Sequence, residues 1–193
     1  PSPADVGFGP FADLFLPVTG ADGTSGGGPD DGLSFVSATY LGAPVANQTM
    51  TLACDGSDIH PLTGLPVACP AGFRAGDAMT TMSLPFGSFT STQPAATVSV
   101  VAQLSSFADL GHTLPVAAVA GFRFGADPLA NPLVDPPIVS SPPVTASVTP
   151  SLITIEKRSN APEAETATGA NFARSWTVAV ELGYDFLPGT TVN

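Results

Sequence analysis

Few side chains in this chain of 193 residues could do chemistry. His60 and His112 are the only histidines, each set in a turn: Asp58-Ile59-His60-Pro61 and Leu110-Gly111-His112-Thr113. Either could serve as the base of a Ser-His-Asp constellation, because triad members converge in space from distant positions. The nearest serine string, Gly23-Thr24-Ser25-Gly26, sits in a loop with no strand-to-helix setting, so no nucleophile elbow is formed. Both histidines therefore read as solvated or loop-capping rings. A glycosidase would need two acids facing each other across a cleft. The acids here are almost all Asp in turns, where Asp caps its own backbone. No catalytic residue is assigned, and the chain reads as a non-enzyme.

Ligand chemistry has one candidate. Calcium takes six to eight oxygens from carboxylates and loop carbonyls. Asp22, Asp30 and Asp31 bracket one long loop and are the candidate calcium ligands; Asp55 and Asp58 form a second group inside the Cys54–Cys69 loop. The EF-hand spacing with its closing Glu is absent, and the competing reading is solvated turn acids. No other cofactor is implied. Gly26-Gly27-Gly28-Pro29 is followed neither by a helix nor by Lys-Ser/Thr, so it makes no phosphate cradle. Asn47-Gln48-Thr49 matches the N-glycosylation pattern, a triplet that also arises by chance. Cys54 and Cys69, the only cysteines, lie fifteen positions apart in a turn-rich segment. Two cysteines alone do not complete a metal site. In a Lys-poor, Thr-rich β-type chain they read as an extracellular disulfide.

Composition closes several classes. Five basic against sixteen acidic residues give a net charge of -11, which excludes nucleic-acid binding by phosphate neutralisation and a basic membrane-surface helix. No stretch approaches the roughly 18 apolar residues of a helical membrane span, so no membrane insertion is expected. No basic n-region precedes an apolar segment at the start. Opening on Pro1, the chain is expected to be a processed product or an excised piece of something longer. Hydrophobic residues reach 44%, enough for a sizeable core, while charged residues are only 11%.

The elements that must carry these residues are strands. Pro and Gly, 21 and 20 in number, interrupt every window that could hold an amphipathic helix. Strand runs are expected at 33–40 after the turn dipeptide Asp31-Gly32, at 48–54, at 78–84, at 96–104 and at 114–124. In the run 96–104, Val98, Val100 and Ala102 share one face. Turn-separated strands without helices make an all-β antiparallel β-sandwich, immunoglobulin-like or jelly-roll-like, followed by a partial second β module. Residues 1–149 hold eleven Asp and no Glu or Lys, whereas 150–193 hold all four Glu and Lys157. That shift falls beside the Pro-rich stretch 136–143, so the boundary is placed at 140–149, giving a sandwich domain over 1–145 and a second module over 146–193. The second module reads as two strands, 151–157 and 175–182, with Trp176, Val178 and Val180 on one face. Two strands make it marginal alone. Trp176, Val178 and Val180 are therefore the candidate assembly strand, docking against other chain.

Pro162-Glu163-Ala164-Glu165-Thr166-Ala167-Thr168-Gly169-Ala170-Asn171-Phe172-Ala173-Arg174, followed by the 176–180 strand, resembles the opening of the conserved-repeat, immunoglobulin-like domains of large bacterial cell-surface proteins. Ile153-Thr154-Ile155-Glu156-Lys157 is similar to the first strand of such a repeat. The stretches 31–38, 84–89 and 121–128 look similar to the module that precedes it. The resemblance implies a long, secreted, repetitive chain with no catalytic residue. Some surface immunoglobulin-like domains join a buried Lys to an Asn on the last strand; no such strand is expected within these residues, and Lys157 reads as a solvated lysine. The expected function is a structural module of an extracellular fibre, filament, sheath or adhesin stalk, whose partners are other copies of itself or further modules of the same chain. A carbohydrate- or calcium-binding module is the alternative, and a secreted hydrolase the third reading.

Overall fold

A computed structural model describes residues 5–21, 31–105, 107–109, 111–126, 138–151, 156–159 and 178–181. It separates into two compact units, Pro1–Pro150 and Ser151–Asn193. The described residues are all-β, with antiparallel pairing throughout and no helix.

The first unit is a β-sandwich of unequal layers. The larger sheet runs β10 (Val144–Val148), β8 (Leu114–Ala126), β1 (Asp5–Leu16), β5 (Ala78–Ser83), β4 (Ala46–Thr51). Two short strands extend it, β6 (Ser88–Phe89) on β1 and β9 (Ile138–Ser140) on β8. The smaller sheet has three strands, β3 (Ala43–Pro44), β2 (Leu33–Tyr40) and β7 (Val98–Leu104). The chain passes between the sheets at Val45, whose N–H donates to the Ala38 carbonyl. Because β3 leads directly into β4, the β3 side of the small sheet lies over the β4 edge of the large one.

β1 is buried on both faces. Leu14 and Leu16 join Met82 and Leu114 beneath Leu33 and Ala38 of the small sheet. Phe15, Met79 and Ala117 point the other way, onto Leu52 and the loop that follows β4. β5 is sandwiched in the same manner, with four consecutive buried residues, Met79 to Met82. Double burial erases the polar alternation that marks a half-exposed strand. It explains why β1, the centre of the fold, carries no strand signature: Val6-Gly7-Phe8-Gly9-Pro10-Phe11 reads as punctuation. The glycines have packing reasons. A Cβ at Gly7 would run into the Phe89 ring, and one at Gly121 into the Phe11 ring, so each glycine seats an aromatic from the neighbouring strand. Gly9, at φ 53°, occupies the bulge where the β1–β8 register shifts between Phe8 and Phe11.

One expectation needs correction. The stretch 140–149 is not a linker: β10 pairs with β8 from Val144↔Ala118 to Val148↔Leu114, and β9 pairs at Phe122↔Val139. Its Pro142-Pro143 lies between two strands that both pair with β8, and the first unit runs to Pro150 instead of 145. Val98, Val100 and Ala102 of β7 do share one face, opposite Tyr40, Ala38 and Phe35 of β2. On that face Val98 is half-buried, while Val100, at 36%, and Ala102 are exposed.

In the second unit β11 (Glu156–Ser159) pairs antiparallel with β12 (Val178–Glu181), setting Lys157 opposite Val180 and Ser159 opposite Val178. Trp176 lies outside the described residues.

Candidate functional site

The strongest sequence candidates converge on the loop between β4 and β5, where they act as fasteners. Cys54 and Cys69 form a disulfide, with S–S 2.01 Å and Cα–Cα 5.2 Å. Asp58 is buried; its carboxylate accepts the N–H groups of Ala53 at 2.9 Å and Cys54 at 2.8 Å. This holds Cys54 at φ 54°, a conformation that a non-glycine residue adopts only when its surroundings impose it. Asp55 stays exposed. The Ser57 hydroxyl at 2.6 Å, and then the Ser57 N–H, hold its carboxyl below the usual carboxylate range.

His60 is not solvated. It is 7% exposed, and its Nε2 lies 3.0 and 3.1 Å from the two carboxylate oxygens of Asp13 on β1. Nδ1 accepts the N–H groups of Leu62 and Thr63, so the ring is the neutral Nε2–H tautomer and donates to Asp13. The loop-capping part of the expectation is met by Nδ1; the solvated part is overturned by burial under the loop. The Thr81 hydroxyl donates a further bond to Asp13 at 2.8 Å. Both ring nitrogens are thus occupied, leaving neither to shuttle a proton to a substrate. His112, by contrast, is exposed.

The remaining candidates scatter. Asp22 and Asp30 lie outside the described residues, as do Gly23 to Pro29, while Asp31 is buried. Among the described residues no group of three or more His, Cys, Asp or Glu is placed to hold a metal. Asn47 sits on the exposed edge strand β4, its side-chain amide donating to the Val45 carbonyl. Val178 and Val180 lie on β12. Sequence reading missed Asp77, which is fully buried and accepts Thr19 N–H, Thr19 hydroxyl and Arg74 N–H bonds, tying two turns together. Its Gly76-Asp77 setting looks like any solvated turn.

What the fold leaves open is apolar. A cleft of about 1020 Å³ lies where the small sheet ends, walled by Phe11, Tyr40, Leu41, Phe86, Phe89 and Phe122. No described residue lining it carries a charge, in a chain of net charge -11. Its rings meet edge to face, Phe86 to Phe89 at 87° and Phe89 to Phe122 at 77°. Leu41 projects at the rim, 87% exposed and held at φ 50° in the two-residue turn Leu41-Gly42.

Beside the cleft runs an uncovered strip. Directly opposed residues of an antiparallel pair share a face. Leu14, a core residue, stands opposite Ala118, and Ala118 opposite Val144; Ala12 likewise faces Ala120 across the β1–β8 pair. Ala118, Ala120, Val144, Ala146 and Val148 therefore point to the core side of the large sheet. Yet all five are exposed, Val144 by 71% and Val148 by 40%. The small sheet covers only part of its partner. No family model, no curated protein and no solved structure matches this chain.

Proposed function

We propose that the chain is a structural module of an extracellular fibre, filament, sheath or adhesin stalk, assembling through β-strand contacts, as its resemblance to cell-surface repeat domains implies. The observation that carries this reading is the uncovered strip together with unguarded strand edges, β7 and β10 among them. β7 and β10 each pair on one side only among the described strands. Neither strand contains a charge, a Pro or a Lys. Soluble monomers blunt their edges with such residues, because unpaired backbone amides and exposed apolar area recruit further strands. The Cys54–Cys69 bond supports a location outside the reducing cytosol. Among the described residues no helix is long and apolar enough to cross a membrane. Immunogold electron microscopy of intact source cells tests the proposal. Label on surface fibres or sheath is expected, and label confined to the cell interior overturns it.

The aromatic cleft favours a second reading, a module that binds a neutral glycan. Sugars stack on flat, open ring faces, whereas Phe86, Phe89 and Phe122 turn edges and faces toward one another. The strand-contact reading therefore ranks first. Binding to an array of neutral oligosaccharides, abolished by Tyr40→Ala, would reverse that order.

A further inference from the structure

The tip of the disulfide loop hangs on one imidazole. Pro61 follows His60 and has no N–H, so the first amides able to turn back onto the ring are those of Leu62 and Thr63. Both do so, donating to Nδ1 at 3.1 and 3.2 Å. The backbone of the same residue closes the tip. His60 N–H donates to the Leu65 carbonyl at 2.9 Å, and the His60 carbonyl accepts the Gly64 N–H at 2.9 Å. On the other side of the ring Nε2–H donates to Asp13, which ties the tip to β1. The base of the loop is fastened separately. Cys54–Cys69 staples it, the Asp58 carboxylate holds the Ala53 and Cys54 N–H groups, and the Asp58 carbonyl accepts the Val67 N–H at 2.8 Å.

We infer that His60 is a proton-operated latch: acid releases the turn at 61–64, while the ring stays on Asp13 and the base of the loop stays closed. A neutral imidazole has one N–H and one lone pair. Here Nε2 carries the hydrogen, so an incoming proton can enter only at Nδ1. The imidazolium donates from both nitrogens. Its Nδ1–H then points at two N–H groups, and both hydrogen bonds that hold the turn are lost. At Nε2 the same proton acts in the opposite sense. The bond to the carboxylate becomes a charge-assisted ion pair and grows stronger. One event therefore tightens the ring on β1 and frees the turn beside it.

The surroundings suit this division. Among the described residues, β1 brings Asp13, the counter-charge for the imidazolium, in direct contact with the ring, and the Phe11 ring at 4.9 Å between centroids. β5 brings only the uncharged Thr81 hydroxyl, which donates to Asp13. β8 brings Arg123, whose guanidinium reaches the Leu62 carbonyl at 3.5 Å and so acts on the turn instead of the ring. Within the loop, the Asp58 carboxylate is occupied by its own amides, and Asp55 is exposed. The staple and the Asp58 bonds contain no histidine, so the base has no part in the proton uptake.

Amide hydrogen exchange of the purified, disulfide-intact chain tests the latch by NMR from about pH 8 to about pH 5. That interval spans the range in which imidazole takes up a proton and ends above that of ordinary carboxylates. After correction for the intrinsic pH dependence of exchange, protection of Leu62 and Thr63 should fall about tenfold or more, in step with the His60 ring resonances. Ala53, Cys54 and Val67 should keep theirs, and the His60 Nε2–H resonance should persist against Asp13. His60→Asn puts an amide oxygen near the place of Nδ1, an acceptor for the same two N–H groups that takes up no proton. Protection of Leu62 and Thr63 in that variant should not depend on pH. Equal protection of the tip at both ends of the range overturns the inference. So does loss at Ala53, Cys54 and Val67 together with the tip, which is unfolding and not release. Disappearance of the Nε2–H resonance, or a release that persists in His60→Asn or follows the exposed His112, also overturns it. If the variant fails to fold, the comparison of tip with base in the unsubstituted chain still decides.

Discussion

The Asp13 carboxylate and the His60 ring meet at 3.0 Å across 47 residues of chain, both nearly sealed from solvent. Asp13 lies in mid-strand on β1 and His60 in the loop that covers that strand. Their bond fastens the loop to the sheet, and the Thr81 hydroxyl from β5 completes the coordination of the carboxylate. A buried carboxylate is tolerated only with such partners.

Removing one partner leaves the other buried and unpaired. His60→Ala should lower unfolding free energy by about 3 kcal/mol in denaturant titration. Asp13→Ala should cost a similar amount. The double variant should cost less than the two together, with a coupling of about 1–2 kcal/mol. Strict additivity would show that the pair does not act as a unit.

The disulfide closes a loop of fifteen residues. Replacing both cysteines by Ala should lower stability by about 3 kcal/mol in the chain-entropy model. Intact-mass analysis after alkylation without reductant should show no modified thiol. Two alkylated cysteines in the native protein would remove the staple from the account.

Leu41 occupies a turn position that favours Asn or Gly, and its exposed side chain gives little packing in return. Leu41→Asn should raise stability by about 0.5–1 kcal/mol, read as an upward shift of the denaturant midpoint at constant slope. A loss of stability would mean that the leucine is packed more closely than its 87% exposure indicates.

Gly121 and Gly7 are open because rings fill the space above them. Gly121→Ala should push the Phe11 ring away, and Gly7→Ala the Phe89 ring, each costing about 1–3 kcal/mol by overpacking. Near-ultraviolet circular dichroism should change with them, since both rings sit among other aromatics. Unchanged spectra and stability would show that the rings can relocate freely.

Much of the sheet is legible in the residues themselves. The run 33–40 after Asp31-Gly32 is β2 over the same span, and the runs from Ala78 and Leu114 begin where β5 and β8 begin. These segments have strong β-formers bounded by turn residues, a local signal. Failure came where the signal depends on neighbours. β1 is hidden because burial on both faces removes alternation and because its glycines answer to distant partners, Gly7 to the Phe89 ring of β6 and Gly9 to the bulge against β8. β10 is hidden behind Pro142-Pro143, whose stiffness reads as a linker although the strand after it pairs in full.

The candidate site divides along the same line. Two cysteines allow one pairing within these residues, so Cys54–Cys69 is legible from composition once the compartment is oxidising. The neutrality of the β7 and β10 edges is likewise written in their residue types. Which polar groups become buried is not. His60 and Asp77 occupy turn strings that look solvated, and only the stacking of a loop or a turn over β1 and β5 withdraws them from water. The uncovered strip is the clearest instance. Val144, Ala146 and Val148 announce a half-buried strand, but whether anything lies over them depends on how many strands the opposite sheet contains. That number follows from the crossing at Val45 and the pairing of three strands against five. Burial is a property of the assembled layers, because the water removed from one strand is displaced by side chains that arrive from others far along the chain.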